Sequence, residues 1–149
     1  VKIMAGRELG LSPFQSMKDL YLVNGKLAIM GNALAAIIKR DKKYDYKVVK
    51  LTDEECAITF YKLNGEKEEL GTSTFSIKDA AKAGIVNGVS WKNWPRNMLF
   101  ARALSNGVRW YCPDAATGWH TTEEMQDLTP EKVTTTIELT AEGVTNGEA

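Results

Sequence analysis

Two rhythms of apolar and polar residues run along this chain, one of period two and one near 3.6, and the switches between them predict its elements. Residues 1–9 read as the end of a helix whose start is expected upstream, and Gly10 sits where a C-terminal cap falls. Ser12-Pro13 opens a second short helix, Ser as N-cap and Pro at the first helical position, running to Asp19. The apolar runs 20–23 and 26–30 flank Asn24-Gly25. Asn-Gly between two such runs signals a type I′ hairpin, because that turn needs positive φ at both central residues. Residues 32–40 are rich in Ala and Ile and place Leu34, Ile37 and Ile38 on one helical face.

Three strands are expected next. Residues 44–51 alternate Tyr44, Tyr46 and Val48 with Asp45, Lys47 and Val49, and 56–63 alternate Cys56, Ile58 and Phe60 with Ala57, Thr59 and Tyr61. Asn64-Gly65 is a second hairpin turn, and the polar start of 66–75 reads as an edge strand with one solvated face. Ser76 to Asp79 resembles a capping box with Asp in the usual Glu position, opening a helix over 77–83 that Gly84 stops. Residues 87–90 read as a loop. Pro95 suits the first turn of a long helix, 95–111, which Pro113 ends. Thr121-Thr122-Glu123-Glu124 is another capping-box start, and beyond it a strand is conceivable only at 135–139. The order α-α-β-β-α-β-β-β-α-α predicts an α+β fold: a small antiparallel sheet, made of a hairpin and a three-stranded meander, packed on helices. Residues 1–128 form the expected core domain, and 129–149 an acidic, flexible tail.

A length of 149 residues is enough for one domain with a buried core, and 44% hydrophobic with 26% charged residues is ordinary for a globular protein. No apolar run is long enough to span a bilayer, and no secretory signal pattern is present, so a cytoplasmic location is expected. Cys56 and Cys112 lack metal or redox spacing, and each lies in an apolar stretch, as reduced core thiols do. A single histidine, His120, argues against an imidazole zinc site and against a His-activated nucleophile, so no metal or cofactor is expected.

The net charge is zero, but its distribution is uneven. Lys39, Arg40, Lys42, Lys43, Lys47 and Lys50 crowd one stretch against Asp41 and Asp45. Lys92, Arg96, Arg102 and Arg109 occupy another that holds no acid, and from Asp114 onward eight acids face one Lys. Two basic blocks and an acidic tail are hidden in the neutral sum. Any one block also fits a solvated face, and Lys39 and Arg40 suit the C-terminal dipole of their own helix.

Catalysis finds little support. The pairs Glu54-Glu55 and Glu68-Glu69 flank turns, where neighbouring side chains point apart. No glycine-rich phosphate loop occurs, and Asp114 with His120 lacks a nucleophile at useful spacing, so no enzyme is expected. Nucleic-acid binding is better served. On helix 95–111, Arg102, Ser105, Asn106 and Arg109 share one stripe. A guanidinium offers phosphate a planar fork of donors, and Ser and Asn add neutral hydrogen bonds. Trp91-Lys92-Asn93-Trp94 sets two indoles around a cation, the mixture on which single strands stack and pair. Trp94 is assigned to the core, while Trp91 fits core and stacking platform equally. A buried ion pair or a subunit contact would use Arg102 and Arg109 just as well.

Gly6-Arg7-Glu8-Leu9-Gly10-Leu11-Ser12-Pro13, Gln15-Ser16-Met17 and Tyr21-Leu22-Val23-Asn24-Gly25-Lys26 resemble the N-terminal block of the RecT-type phage proteins. Phe75 to Gly84 resembles a second block of the same group. Asn93-Trp94-Pro95, Met98-Leu99, Ala101-Arg102-Ala103, Arg109, Pro113-Asp114, Gly118 and Thr121 to Met125 resemble a third. The resemblance runs in order over residues 1–125. It implies a single-strand annealing protein-like fold, related to lambda Red beta, that binds single-stranded DNA and anneals complementary strands in phage recombination without ATP. It further implies a homo-oligomer, ring or filament, beside a 5′–3′ exonuclease in a bacterial host cell, encoded by a phage or prophage. By position Arg102 and Arg109 take the place of basic residues on the family's core helix, and Lys39, Arg40, Lys42 and Lys43 align loosely. With Lys92, Arg96 and Trp91 these form the expected DNA-binding set. The family's N-terminal part is longer, which bears on filament formation. The rival expectation is a non-enzymatic phage structural or protein-interaction module without annealing activity.

Overall fold

The computed structural model describes residues 1–23, 26–115 and 120–128. In chain order its elements are α1 (Lys2–Glu8), α2 (Pro13–Asp19), β1 (Leu20–Val23), β2 (Lys26–Ile29) and α3 (Gly31–Arg40). These are followed by β3 (Tyr44–Leu51), β4 (Glu55–Leu63), β5 (Lys67–Ser76), α4 (Ile77–Lys82) and α5 (Val89–Asn93), and then by α6 (Pro95–Tyr111), β6 (His120–Thr121) and α7 (Thr122–Leu128). The fold is α+β, as the alternating rhythms predict. The Asn24-Gly25 turn, the strand at 135–139 and the tail 129–149 lie outside the described residues.

Local chemistry sets most of the boundaries. Ser12 accepts from the Gln15 amide at 3.2 Å while the Gln15 side chain turns back to the Ser12 amide, a reciprocal cap on α2. Ser76 and Asp79 make the same box on α4. Gly84, with φ 77°, takes the chain away from α4. Gly65 has φ 81°, as the turn between β4 and β5 needs.

The hairpin and the meander form two sheets rather than one. Strands β3, β4 and β5 are antiparallel in that order. In the other sheet β2 pairs with β1 antiparallel and with β6 in parallel, Ala28 opposite His120 and Ile29 opposite Thr121. Two residues carry no readable period, so β6 is invisible in the sequence. Residues 87–90 are not simply a loop: α5 begins at Val89 and swings Trp91 into the core, where it is 3% exposed.

Helix α6 is the spine of the molecule. Met98, Leu99, Ala101, Ala103, Leu104, Ser105, Gly107 and Val108 are all buried, so its sides are covered in several directions. The meander takes one of them. Alternation in β4 sends Cys56, Ile58 and Phe60 toward α6, and the Ser73 hydroxyl donates to the Ala103 carbonyl at 2.7 Å. Phe60, fully buried, fills the space that Gly107 leaves empty: a Cβ there would stand 2.0 Å from the ring. Burying a Phe of this kind is worth about 1.5–3 kcal/mol.

That packing reverses the usual effect of a helical glycine. Alanine in mid-helix normally gains about 1 kcal/mol over glycine. Gly107→Ala is expected instead to destabilise by roughly 1–3 kcal/mol, the range for overpacking a full core, as measured by urea or thermal unfolding.

Candidate nucleic-acid interface

The arginine stripe of α6 exists, but it faces α7. Arg102 donates from Nε and Nη2 to Oδ2 of Asp127, at 3.1 and 2.7 Å. The other oxygen of that carboxylate accepts from the Trp91 indole at 2.7 Å. The two side chains of the ion pair are 19% and 6% exposed. One turn up α7, Glu124 binds Arg109, which also donates to Ser105 Oγ at 2.8 Å and lies 3.4 Å from Nδ1 of His120. The Glu124 side chain is 4% exposed. The Glu124 amide donates to the Thr121 hydroxyl at 3.3 Å, so the expected cap forms, though its carboxylate turns to Arg109 instead of closing the box. Glu123 completes the set by accepting from the Gly31 amide, 3.2 Å away, at the start of α3.

Trp91 therefore offers no ring face to a base in this arrangement: its plane is packed near Phe75 and its N–H is taken by Asp127. Trp94, expected in the core, is 63% exposed. The reason is the following proline, which disfavours helical geometry in the residue before it. Trp94 adopts φ −133° and ψ 55° between α5 and α6, and its indole is thrown outward. Lys92 and Arg96 are exposed on either side of it, and a shallow groove here is lined by Asp53, Asn93, Trp94, Pro95, Arg96 and Asn97. Arg96 Nε donates to Asp53 at 2.9 Å across the mouth.

The other basic block lies at the exit of α3. Lys39 donates to Asp45 at 2.7 Å and to the Tyr46 carbonyl at 2.6 Å, with its ammonium 4.4 Å from the Tyr46 ring centre. Burial alone would raise the Asp45 carboxyl, but the hydrogen bond and charge of Lys39 outweigh it and hold the group below its ordinary value. Arg40 and Lys42 are exposed, and no ion pair is recorded for them among the described residues. Lys43 stands 3.9 Å from Asp114, whose other oxygen accepts from the Tyr44 hydroxyl at 2.6 Å. That bond, helped by burial, pushes the Tyr44 hydroxyl up to about 12, and the same bond holds Asp114 below its ordinary value against the opposing effect of burial.

The nine expected residues thus fall in three places and do not line one groove. Arg96 meets Asp53 beyond one end of β3, and Lys43 stands before the other end. Eight strand residues at about 3.3 Å each put roughly 25 Å between them. Arg102 and Arg109 lie elsewhere, under α7. What joins the two open ends is β3 itself. Lys47 and Lys50 are exposed on the sheet face away from α6, opposite Thr59 and Ala57, and Lys50 reaches Glu55 at 2.6 Å. Beyond them Thr72 and Thr74 of β5 keep that face low and polar. Neither Lys47 nor Trp94 was expected in the site. The signal for Lys47 was its place out of phase with Tyr46 and Val48, and for Trp94 it was Pro95.

Asp114 and His120 do not form a pair, since the first serves Tyr44 and the second lies against Arg109 and Glu124. Cys56 and Cys112 are free and buried, and burial pushes their thiols up to about 11 and about 12. Among the described residues no cluster of His, Cys, Asp or Glu has metal-binding geometry, and no helix is long and apolar enough to cross a membrane. No protein-family model matches the chain, and no curated protein matches it either.

Arg102→Ala leaves the Asp127 carboxylate buried without its counter-ion. It is expected to lower stability by about 3–5 kcal/mol in a denaturant titration, so a loss of binding in that variant must be read against its folding. Tyr44→Phe is expected to cost about 1 kcal/mol near neutral pH. The Asp114 contribution is present above the ordinary aspartate value of 3.8 and is lost as pH falls through its lowered one. The gap between wild type and Tyr44→Phe should therefore close on acidification, which thermal unfolding across pH measures. At the alkaline end the Tyr44 contribution is full below pH 10.0 and lost as pH rises through about 12.

Proposed function

We propose that this protein binds single-stranded DNA along the margin of β3 and pairs complementary strands without ATP, as a non-enzymatic annealing protein. The observation that carries the proposal is the exposed Trp94 indole with Lys92 and Arg96 beside it. An exposed aromatic with cations two residues to either side of it in the chain is an element that single strands use: bases stack, phosphates pair, and sequence matters little. From that corner the strand follows Lys50 and Lys47 to the block of Lys39, Arg40, Lys42 and Lys43. A path of roughly 25 Å accommodates about seven stacked nucleotides at 3.4 Å each. The exposed pairs along it, Arg96 with Asp53 and Lys50 with Glu55, are worth only about 0–1 kcal/mol, so phosphate can take their place.

Annealing itself rests on the RecT-like order of motifs. On the same ground the protein acts in the bacterial cytoplasm as a phage or prophage product, as an oligomer and beside a 5′–3′ exonuclease. A few phosphate contacts per subunit bind weakly, and linked copies on one strand multiply them.

One surface favours the rival, a protein-interaction module. Met4, Phe14, Met17, Tyr21 and Leu22 are exposed apolar residues on α1, α2 and β1, and β1 is an edge strand of its sheet. A labelled oligonucleotide titrated at low and high salt separates the two. Trp94→Ala is expected to weaken binding by about five- to a hundredfold, the range for losing one stacked base. Annealing of complementary oligonucleotides should slow with it. Equal affinity in wild type and variant would sink the β3 path.

A further inference from the structure

Helix α7 is fastened in an unusual way. Glu123 takes the Gly31 amide, Glu124 takes Arg109, and Asp127 takes Arg102 and Trp91, so three carboxylates reach three elements. Met125 packs with Ala28 in a cluster apart from the main core. The Glu124 carboxylate is also left half satisfied: its Oε1 is buried with no hydrogen-bond partner among the described residues. Such an atom bears a desolvation cost that leaving the site would relieve. The cations are the more open partners. Arg102 is 19% and Arg109 39% exposed, against 6% and 4% for their carboxylates, so an anion arriving from solvent meets the guanidinium groups first.

The spacing also fits two phosphates about three nucleotides apart, at 3.4 Å per nucleotide. Seven residues of helix set Arg102 and Arg109 about 10 Å apart on one face. Two oxygens of Asp127 accept from three donors, much as one phosphate group does. We infer that α7 is a displaceable anionic cover, in which Asp127 and Glu124 hold the positions that two phosphates of a single strand take on Arg102 and Arg109. This rests on the strand-binding proposal above and adds to it a second, closed site. Entry of a strand exchanges one set of oxygens for another, so the arginines never stand unpaired, and the freed carboxylates go to water. The closed form leaves only the β3 margin for strands. It opens the α6 stripe when DNA is abundant enough to compete with the chain's own acids.

The test compares binding of a fluorescein-labelled oligothymidylate to wild type and to Glu124→Gln/Asp127→Asn over a range of salt. Hydrogen exchange of the α7 amides is followed in wild type with and without the oligonucleotide. The double variant is expected to bind about tenfold tighter. Its log affinity should fall more steeply with log salt, by about 1.4 in slope, because two phosphates then replace counterions rather than internal carboxylates. In wild type the α7 amides should lose protection when DNA binds. A folded variant with unchanged affinity and slope, together with α7 amides equally protected in both states, overturns the cover and leaves the β3 path standing on Trp94→Ala. Should the variant fail to fold, exchange in wild type decides alone. If neither protein binds at low salt, the strand-binding proposal and the cover fall together.

Discussion

The close approach of α6 to β4, with the Phe60 ring lying where Gly107 has no side chain, is the contact on which the rest of the structure depends. It fixes the distance between helix and sheet. Ser73 can then reach the Ala103 carbonyl, and Tyr111 can lie over Gly71. Once α6 is seated, its remaining sides are committed. α3 packs beside it, α5 is turned so that Trp91 enters the core, and the arginine stripe is left pointing at α7. A fully packed interior transmits such constraints because it has no slack to absorb them.

Electrostatics decides the outer layer. The chain has no net charge, yet its acids are not spread evenly over its cations. On the β3 margin the pairs are exposed and weak, and among the described residues Arg40, Lys42 and Lys47 form no ion pair. Under α7 the carboxylates are buried, and the pairs share hydrogen bonds with Trp91 and Ser105. One set of pairs faces solvent, and the other holds its carboxylates inside the fold. A neutral protein can therefore present a cationic margin, because acids such as Glu66, Glu68 and Glu69 stand exposed elsewhere on its surface.

Much of the fold was legible in the residues themselves. The strand alternation of Cys56, Ile58 and Phe60, the reciprocal cap of Ser12 and Gln15 and the proline at the head of α6 each signal structure within a few positions. What escaped depends on pairing across distance. β6 consists of two residues chosen by β2, and α5 exists because Trp91 has a place to go. The candidate site was harder for the same reason. The stripe of Arg102 and Arg109 was readable from helical spacing, but nothing local says that Asp127 and Glu124 return to cover it. Trp91 and Trp94 sit three residues apart in similar surroundings, and only the geometry before Pro95 decides which is exposed. The separation of the Lys39–Lys43 block from Lys92 and Arg96 comes from the length of β3, which a list of charges does not contain.

The two cysteines acquire a use from their burial. Cys56 lies on the central strand against α6 and Cys112 caps its C-terminal end, and neither is exposed. Their thiolates are suppressed and their sulfurs have no path to reagent while the helix stays on the sheet. Alkylation must wait for the packing around each to part, so the protein carries two internal clocks, one on β4 and one at the C-terminal end of α6. The rates at which they are consumed report the opening rate of the core when reagent outruns reclosing, and its opening equilibrium when it does not.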